Sequence, residues 1–329
     1  VSPESPPFGP PHRFLRRAEK RIDRPIWQAD TVRYALKITL DPTTESFGAE
    51  NERVFVYNAE RGTKDSLSVV RRKGSSIAFR SENTLSDKTP AQHSFNVPRH
   101  LSALANLPDD KTHFPASVWL KNLLTEGVQE VILDPTELRK PSPPLKATND
   151  KFSGANLGRL VAQLLLDEQR SADWQAHLRT VLPDLKAIRT VLREEDRSRY
   201  VQIQYENGIE VPSWFLSDGT LRLIALTLLA YSPKPEGIYL IEEPENGVHP
   251  TALEAIFQSL TSVYEGQVFI ATHSPILLSL TKPEQLLCFS KTSRGTEIVR
   301  GDQHPVLRHW NTWKDEVNLS DYFAAGVLG

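Results

Sequence analysis

The sequence contains no methionine in 329 residues. A chain this long ordinarily holds several, so short motifs are firmer guides here than spacings across long stretches. It has one cysteine, Cys288. That excludes an internal disulfide and points to a reducing, cytoplasmic setting. Neither sign of charge is in excess. Against 39 Lys and Arg stand 41 Asp and Glu, a formal net charge of −2, so no overall basic field is aimed at DNA, RNA or a membrane surface. No apolar run approaches the length of a membrane span. The opening residues, Val1 to Pro11, are proline-rich and lack the apolar stretch of a secretory signal. What remains is the composition of a globular protein, with 39% hydrophobic and 24% charged residues. The length allows one large domain or two unequal ones.

Five segments are expected. Residues 1–30 are irregular, because Pro3, Pro6, Pro7, Pro10 and Pro11 forbid regular structure. The basic run from Arg13 to Arg24 reads as a solvated helix face. Residues 31–115 open with β structure. Val32 to Leu40 alternates apolar and polar residues, and further strands are expected at Glu52–Tyr57, Leu67–Arg71 and Ser76–Arg80. Together they form an antiparallel meander with one wet face. Residues 116–199 are expected to be helical: Leu157, Leu160, Val161, Leu164 and Leu165 recur at helical spacing, as do Trp174, Leu178, Val181 and Leu182. Helix is expected near 115–125 and over 155–195, with Asp134 to Pro144 a proline-rich loop between them. Residues 200–295 begin with a hairpin turning at Asn207-Gly208. From 216 to 289 they alternate helix and buried strand, the rhythm of a mostly parallel α/β sheet. Residues 296–329 form a tail with two tryptophans, Trp310 and Trp313. Packing on its own domain is the plain reading, and docking of a separate protein is the alternative.

Three motifs carry chemistry. Leu216-Ser217-Asp218-Gly219-Thr220 precedes an apolar helix. A small polar turn there offers free N–H groups and the positive end of a helix dipole to phosphate, although Ser and Asp cap many ordinary helices as well. Gly237 to Asn246 is a short apolar strand ending in adjacent carboxylates, Glu242 and Glu243. Open α/β sheets place ligands at such strand ends. Because side chains alternate along a strand, one carboxylate can serve a metal and the other a water. Gln267 to Pro275 is another buried strand, which presents Thr272 and His273 at its end. An imidazole there can bond a terminal phosphate.

The wording LSDGTLR, LIEEPENGVHP and ATHSP, in that order, resembles ABC-type ATPases of the SMC/RecF/OLD group, many of them encoded beside phage-defence or repair effectors. The close resemblance covers roughly residues 210–290. It implies an α/β ATPase head with a mostly parallel central sheet, an antiparallel β arm sheet and a helical lid subdomain. Leu216–Thr220 resembles the signature motif, with Asp218 where glycine is commonest. Ile238–Glu243 resembles the Walker B strand, so that Glu242 would hold Mg²⁺ and Glu243 would be the catalytic glutamate. Asn246 to His249 falls at the D-loop, with His249 in place of its usual aspartate, and His273 matches the switch histidine. Ser217, Asp218, Gly219, Asn246 and His249 are thereby expected to contact nucleotide. The resemblance further implies ATP and Mg²⁺ as cofactors and a cytoplasmic homodimer or higher homo-oligomer closed by an ATP sandwich. It is compatible with a separate effector such as a nuclease, or DNA, as a further partner, and with no membrane. One departure is large: no G-x-x-x-x-G-K-[ST] occurs, and Arg61–Ser66 and Arg72–Ser76 imitate it poorly. Either a segment outside this sequence supplies that loop, or the protein is a nucleotide-sensing or scaffolding subunit that lends its signature turn to a partner. A third reading, in which Glu242, Glu243 and Glu245 form a two-metal nuclease site, sits poorly beside the signature turn and the histidine strand.

Overall fold

The structure is a computed structural model. It describes residues 29–41, 45–60, 66–82, 92–144, 152–232, 237–264, 266–293, 295–307 and 319–324. The proline-rich start, the basic run, Trp310 and Trp313 lie outside the described residues. The chain divides into two compact units, residues 1–127 and 128–329.

The first unit is built on a five-stranded antiparallel sheet in sequential order: β1 (Thr31–Asp41), β2 (Ser46–Tyr57), β3 (Leu67–Lys73), β4 (Ser76–Arg80) and β5 (Gln92–Asn96). Period-two alternation puts Val54, Val70, Ile77 and Phe79 inside. Helix α1 (Pro115–Asn122) contributes Val118 and Leu120 to the same core. Its first free amides, Ala116 and Ser117, donate to the Glu82 carboxylate at 2.8 Å each, and burial raises the pKa of Glu82. The stretch Arg72–Ser76 belongs to a strand–turn–strand, with Gly74 at φ 62°, so it is a hairpin and no phosphate loop. The core also holds a fully buried ion pair, Glu52 and Arg72. Glu52 accepts from Ser102 Oγ at 2.6 Å, from the amides of Ala103 and Leu104 at 2.7 and 2.9 Å, and from Tyr34 Oη at 3.0 Å. Arg72 donates to the carbonyls of Gly74, Val97 and Leu101. The pair thereby ties the 97–104 loop to β2 and β3.

The second unit mixes sheet types. β6 (Val128–Glu130), β10 (Gly237–Glu242) and β11 (Gly266–Ala271) form a three-stranded parallel sheet with β10 in the middle. β7 (Leu185–Leu192), β8 (Arg199–Tyr205) and β9 (Glu210–Pro212) form an antiparallel sheet, with Gly208 at φ 84° in the expected β8–β9 turn. β12 (Leu287–Thr292) pairs with β13 (Gly295–Arg300) in a separate hairpin. The helices are α2 (Pro135–Arg139), α3 (Leu157–Leu164), α4 (Glu168–Arg179), α5 (Asp218–Tyr231), α6 (Pro250–Thr261), α7 (Pro275–Ser279) and α8 (Leu319–Ala324). From 216 to 289 the expected alternation of helix and strand is present.

Two expectations are corrected. The helical stretch expected to reach 195 stops at Arg179, and Leu185–Leu192 is strand β7, paired antiparallel with β8 apart from an irregularity between Leu185 and Ala187. Val181, Leu182 and Leu185, which continue the helical spacing past Arg179, concealed that change of period. Within the Asp134–Pro144 loop lies helix α2. Pro135 sits in its first turn, where its missing N–H costs nothing, and Asp134 caps it by accepting from the Thr136 amide at 2.8 Å. The core of this unit centres on α5, which buries Leu221, Ile224 and Leu226 completely. Trp174 of α4 is fully buried against it and donates Nε1–H to Thr227 Oγ1 at 3.0 Å. Of the tail, Leu307 and Leu319 are buried with Leu286, Tyr322 and Phe323, so the described part packs on its own unit.

Candidate functional site

The parallel register sets the site. Glu242 pairs with Ala271 across β10 and β11, and the Glu243 amide donates to the Ala271 carbonyl at 2.8 Å. Residues 242–246 and 271–273 therefore leave the sheet at the same edge. There the chain turns sharply, with Gly247 at φ 70° and, unusually, Glu243 at φ 44°. A left-handed conformation costs a side-chain-bearing residue roughly 1–3 kcal/mol, and such strain gathers where function fixes a side chain. The turn is held by the Asn246 amide on the Glu243 carbonyl at 3.0 Å and by Asn246 Nδ2 donating to Glu243 Oε2 at 2.5 Å.

Glu242, Glu243 and Asn246 line a cleft of about 330 Å³ together with Glu130, Asp134 and Arg222. Glu130 and Asp134 come from β6 and the start of α2. Their sequence gives no hint of this, since a three-residue strand carries no periodicity. Arg222, one turn into α5, brings the only guanidinium among the cleft's lining residues.

The signature-like turn abuts this edge. Ser217 is the N-cap of α5, its extended backbone at φ −67° and ψ 154°, and its Oγ accepts from the Thr220 amide at 3.1 Å. Thr220 Oγ1 lies 2.8 Å from the same oxygen. Gly219 passes so close to the 246–249 loop that a Cβ there would stand 2.7 Å from the Gly247 carbonyl oxygen. Asp218, in the first turn, forms an ion pair with Arg139.

His273 follows β11 and is exposed. Its backbone is fixed by Glu245, whose Oε1 accepts from the His273 amide at 3.1 Å and from Thr272 Oγ1 at 2.7 Å. Its ring lies 6.2 Å from that of Phe323, tilted 35°. Glu245 was legible only as one more acidic residue in ENGVHP; its tie to residue 272, 27 positions on, needs the parallel pairing. His249 is placed differently from the rest. It caps α6, with Nδ1 2.8 Å from Thr251 Oγ1 and 3.4 Å from the Thr251 amide.

Among the described residues no group of three or more His, Cys, Asp or Glu converges to hold a metal by itself. Mg²⁺ keeps several of its waters and takes one or two carboxylates plus phosphate oxygens, so an exposed carboxylate at a strand end is a ligand of the right chemistry. Glu242, exposed at the strand end in an acidic cleft, fits that role.

Paired carboxylates, an asparagine and a histidine thus stand at the edge of a parallel sheet, beside a capped helix turn, in a chain similar to ATPases of the SMC/RecF/OLD-like group. The family model described as "AAA domain, putative AbiEii toxin, Type IV TA system" matches residues 32–279, and the chain belongs to this family. It is 27% identical over 171 residues to a protein named as the Retron Vc95 probable ATPase of Vibrio cholerae serotype O1 biovar El Tor, covering 45% of this chain and 33% of that one. It is 33% identical over 90 residues to the Old nuclease of Escherichia phage P2, covering 24% of this chain and 15% of that one. The matched part thus spans a third or less of either relative. Among solved structures, the Smc head bound to the C-winged helix domain of ScpA is similar over 76% of this chain and 74% of that one, at 15% identity and a TM-score of 0.44. The SMC head domain from Thermotoga maritima is similar over 77% and 74%, at 10% identity and a TM-score of 0.33.

Proposed function

We propose that the protein binds and hydrolyses ATP, and that nucleotide-dependent dimerisation through the signature-like turn controls a nucleic-acid-related or anti-phage effector. The observation that carries this is Glu243. It is held in a left-handed conformation one residue past β10, with its carboxylate fixed by Asn246 among the residues lining the acidic cleft. A carboxylate so fixed can accept a proton from water as that water attacks the terminal phosphorus; the bond to the β–γ bridging oxygen breaks, and ADP and phosphate leave. His273, anchored through Glu245, donates a hydrogen bond to a terminal phosphate oxygen. Ser217 and Gly219 contact the terminal phosphate of a nucleotide bound to the second subunit, with Asp218 beside them in the turn. Asn246 and His249 lie in the loop that meets that interface. Mg²⁺, when bound through Glu242 and water, supplies charge neutralisation on the phosphates. In this reading the antiparallel sheet of the first unit is the arm sheet, and α3 and α4 belong to the helical lid.

The effector half of the proposal is supported by two relatives, one named for a retron and one a nuclease. Because only ATP makes contacts to both subunits, the closed dimer is favoured before hydrolysis and released after it. In a second reading the chain lends its turn to a partner's nucleotide without hydrolysing its own. Glu243→Gln in the full-length protein separates the two. The proposal expects ATP binding to persist while hydrolysis falls by orders of magnitude. Turnover unchanged by the substitution would remove Glu243 from the mechanism, and absence of ATP binding by the unsubstituted protein would favour the second reading.

A further inference from the structure

The signature-like turn contains a chemical contradiction. A turn that meets a terminal phosphate gains from free amides and a helix dipole, yet here it carries a carboxylate, Asp218, at the first position of α5. An uncompensated carboxylate beside a phosphate oxygen repels it strongly where water is excluded. The structure supplies a compensating charge from 79 residues away. Arg139 Nη2 stands 2.5 Å from Asp218 Oδ1 and donates to the Leu216 carbonyl at 3.0 Å. The Arg139 carbonyl accepts from Ser213 Oγ at 2.9 Å, so main chain and side chain together grip both ends of the segment leading into the turn. Arg139 is itself held firmly. It ends α2, which is capped by Asp134 and anchored by the buried Leu138, and its Nη1 donates to the Pro135 carbonyl at 3.3 Å. The neighbouring cation, Lys140, is engaged elsewhere, with Glu137 at 2.6 Å.

We infer that Arg139 is a positioning residue of this turn, and that its ion pair with Asp218 cancels the charge that would otherwise keep a partner's terminal phosphate away. The inference rests on the proposed ATP-dependent dimer and adds to it the residue that makes an aspartate tolerable at its interface. Arg139 acts through Asp218 and the Leu216 carbonyl; it is not itself placed on the nucleotide. A tether through the Leu216 carbonyl alone would also explain the contacts, but it predicts equal losses with and without the carboxylate.

The test is sedimentation of the full-length protein, carrying Glu243→Gln so that nucleotide persists, in excess Mg²⁺ and ATP. Arg139→Gln is expected to weaken self-association by about tenfold or more. In an Asp218→Asn background the same Arg139→Gln change is expected to cost less than about twofold, since no carboxylate remains to compensate. Arg139→Lys, which keeps the charge, is expected to lose less than Arg139→Gln. Thermal unfolding of each variant shows whether it is folded. Equal losses in both backgrounds, or no loss on Arg139→Gln, overturn the inference and leave the ATP-dependent dimer standing. No association of the parent with ATP overturns both together.

Discussion

The close approach of Gly219 to Gly247 couples the signature-like turn to the loop after β10, and Gly219→Ala tests that coupling directly. A methyl group at 219 would stand 2.7 Å from the Gly247 carbonyl oxygen and 3.6 Å from Val248 Cα. The first distance is well inside van der Waals contact, and its target is backbone, which cannot rotate aside. Either the start of α5 or the 246–249 loop must move by several tenths of an ångström. Overpacking of this kind costs about 1–3 kcal/mol. Against a total stability of about 5–15 kcal/mol that is readily measured, and for a unit of this size it lowers Tm by roughly 2–4 °C per kcal/mol. Urea and thermal unfolding of Gly219→Ala should show that loss. ATP hydrolysis should fall further than the lost stability explains, because the same shift displaces Ser217 and Asn246. A variant as stable and as active as the parent would refute the close approach and the coupling drawn from it.

Glu52→Ala removes one member of a fully buried ion pair and strands the Ala103 and Leu104 amides; urea unfolding should show a loss of about 3–5 kcal/mol. Burial, then the Glu52 charge, push the Tyr34 hydroxyl from 10.0 up to about 12. The folded state therefore holds this proton more tightly than the unfolded state. The associated stability is fully present below pH 10.0 and is lost as pH rises through about 12. Tyr34→Phe should accordingly flatten the alkaline limb of an unfolding-midpoint profile. Trp174→Ala empties a fully buried site and deprives Thr227 of a hydrogen bond; a loss of about 3–5 kcal/mol is expected in the same assay. Glu243→Gly should relieve the left-handed strain, raising stability by up to about 1 kcal/mol while abolishing hydrolysis. Calorimetry beside a phosphate-release assay reads both effects.

The parts legible in the sequence were those with a local signal. Strands β1 to β4 showed in their alternation, the β8–β9 turn in Asn-Gly, and the strand ends at Glu242 and His273 in apolar runs that break abruptly into polar residues. Strand β7 was hidden because Leu178, Val181, Leu182 and Leu185 happen to continue a helical spacing. Helix α2 hid behind prolines, although Asp134-Pro135 is an N-cap followed by the residue best suited to a first turn. Most of what assembles the site from distant segments was not visible. Arg139 meets Asp218, and Glu245 meets Thr272 and His273, only through tertiary pairing, and no spacing rule connects them. The left-handed Glu243 was not foreseeable either, since glutamate favours other backbone regions and the residue before a proline is restricted further.

The central claim is that one subunit's Glu243 acts on a nucleotide completed by the other subunit's Ser217 turn. Mixing two inactive full-length variants, Ser217→Arg and Glu243→Gln, and measuring ATP turnover tests it most directly. In a two-fold dimer, half the assemblies are mixed and each mixed dimer has one intact site, so the mixture should recover about a quarter of parental turnover. A mixture no more active than its separate components would contradict a shared site.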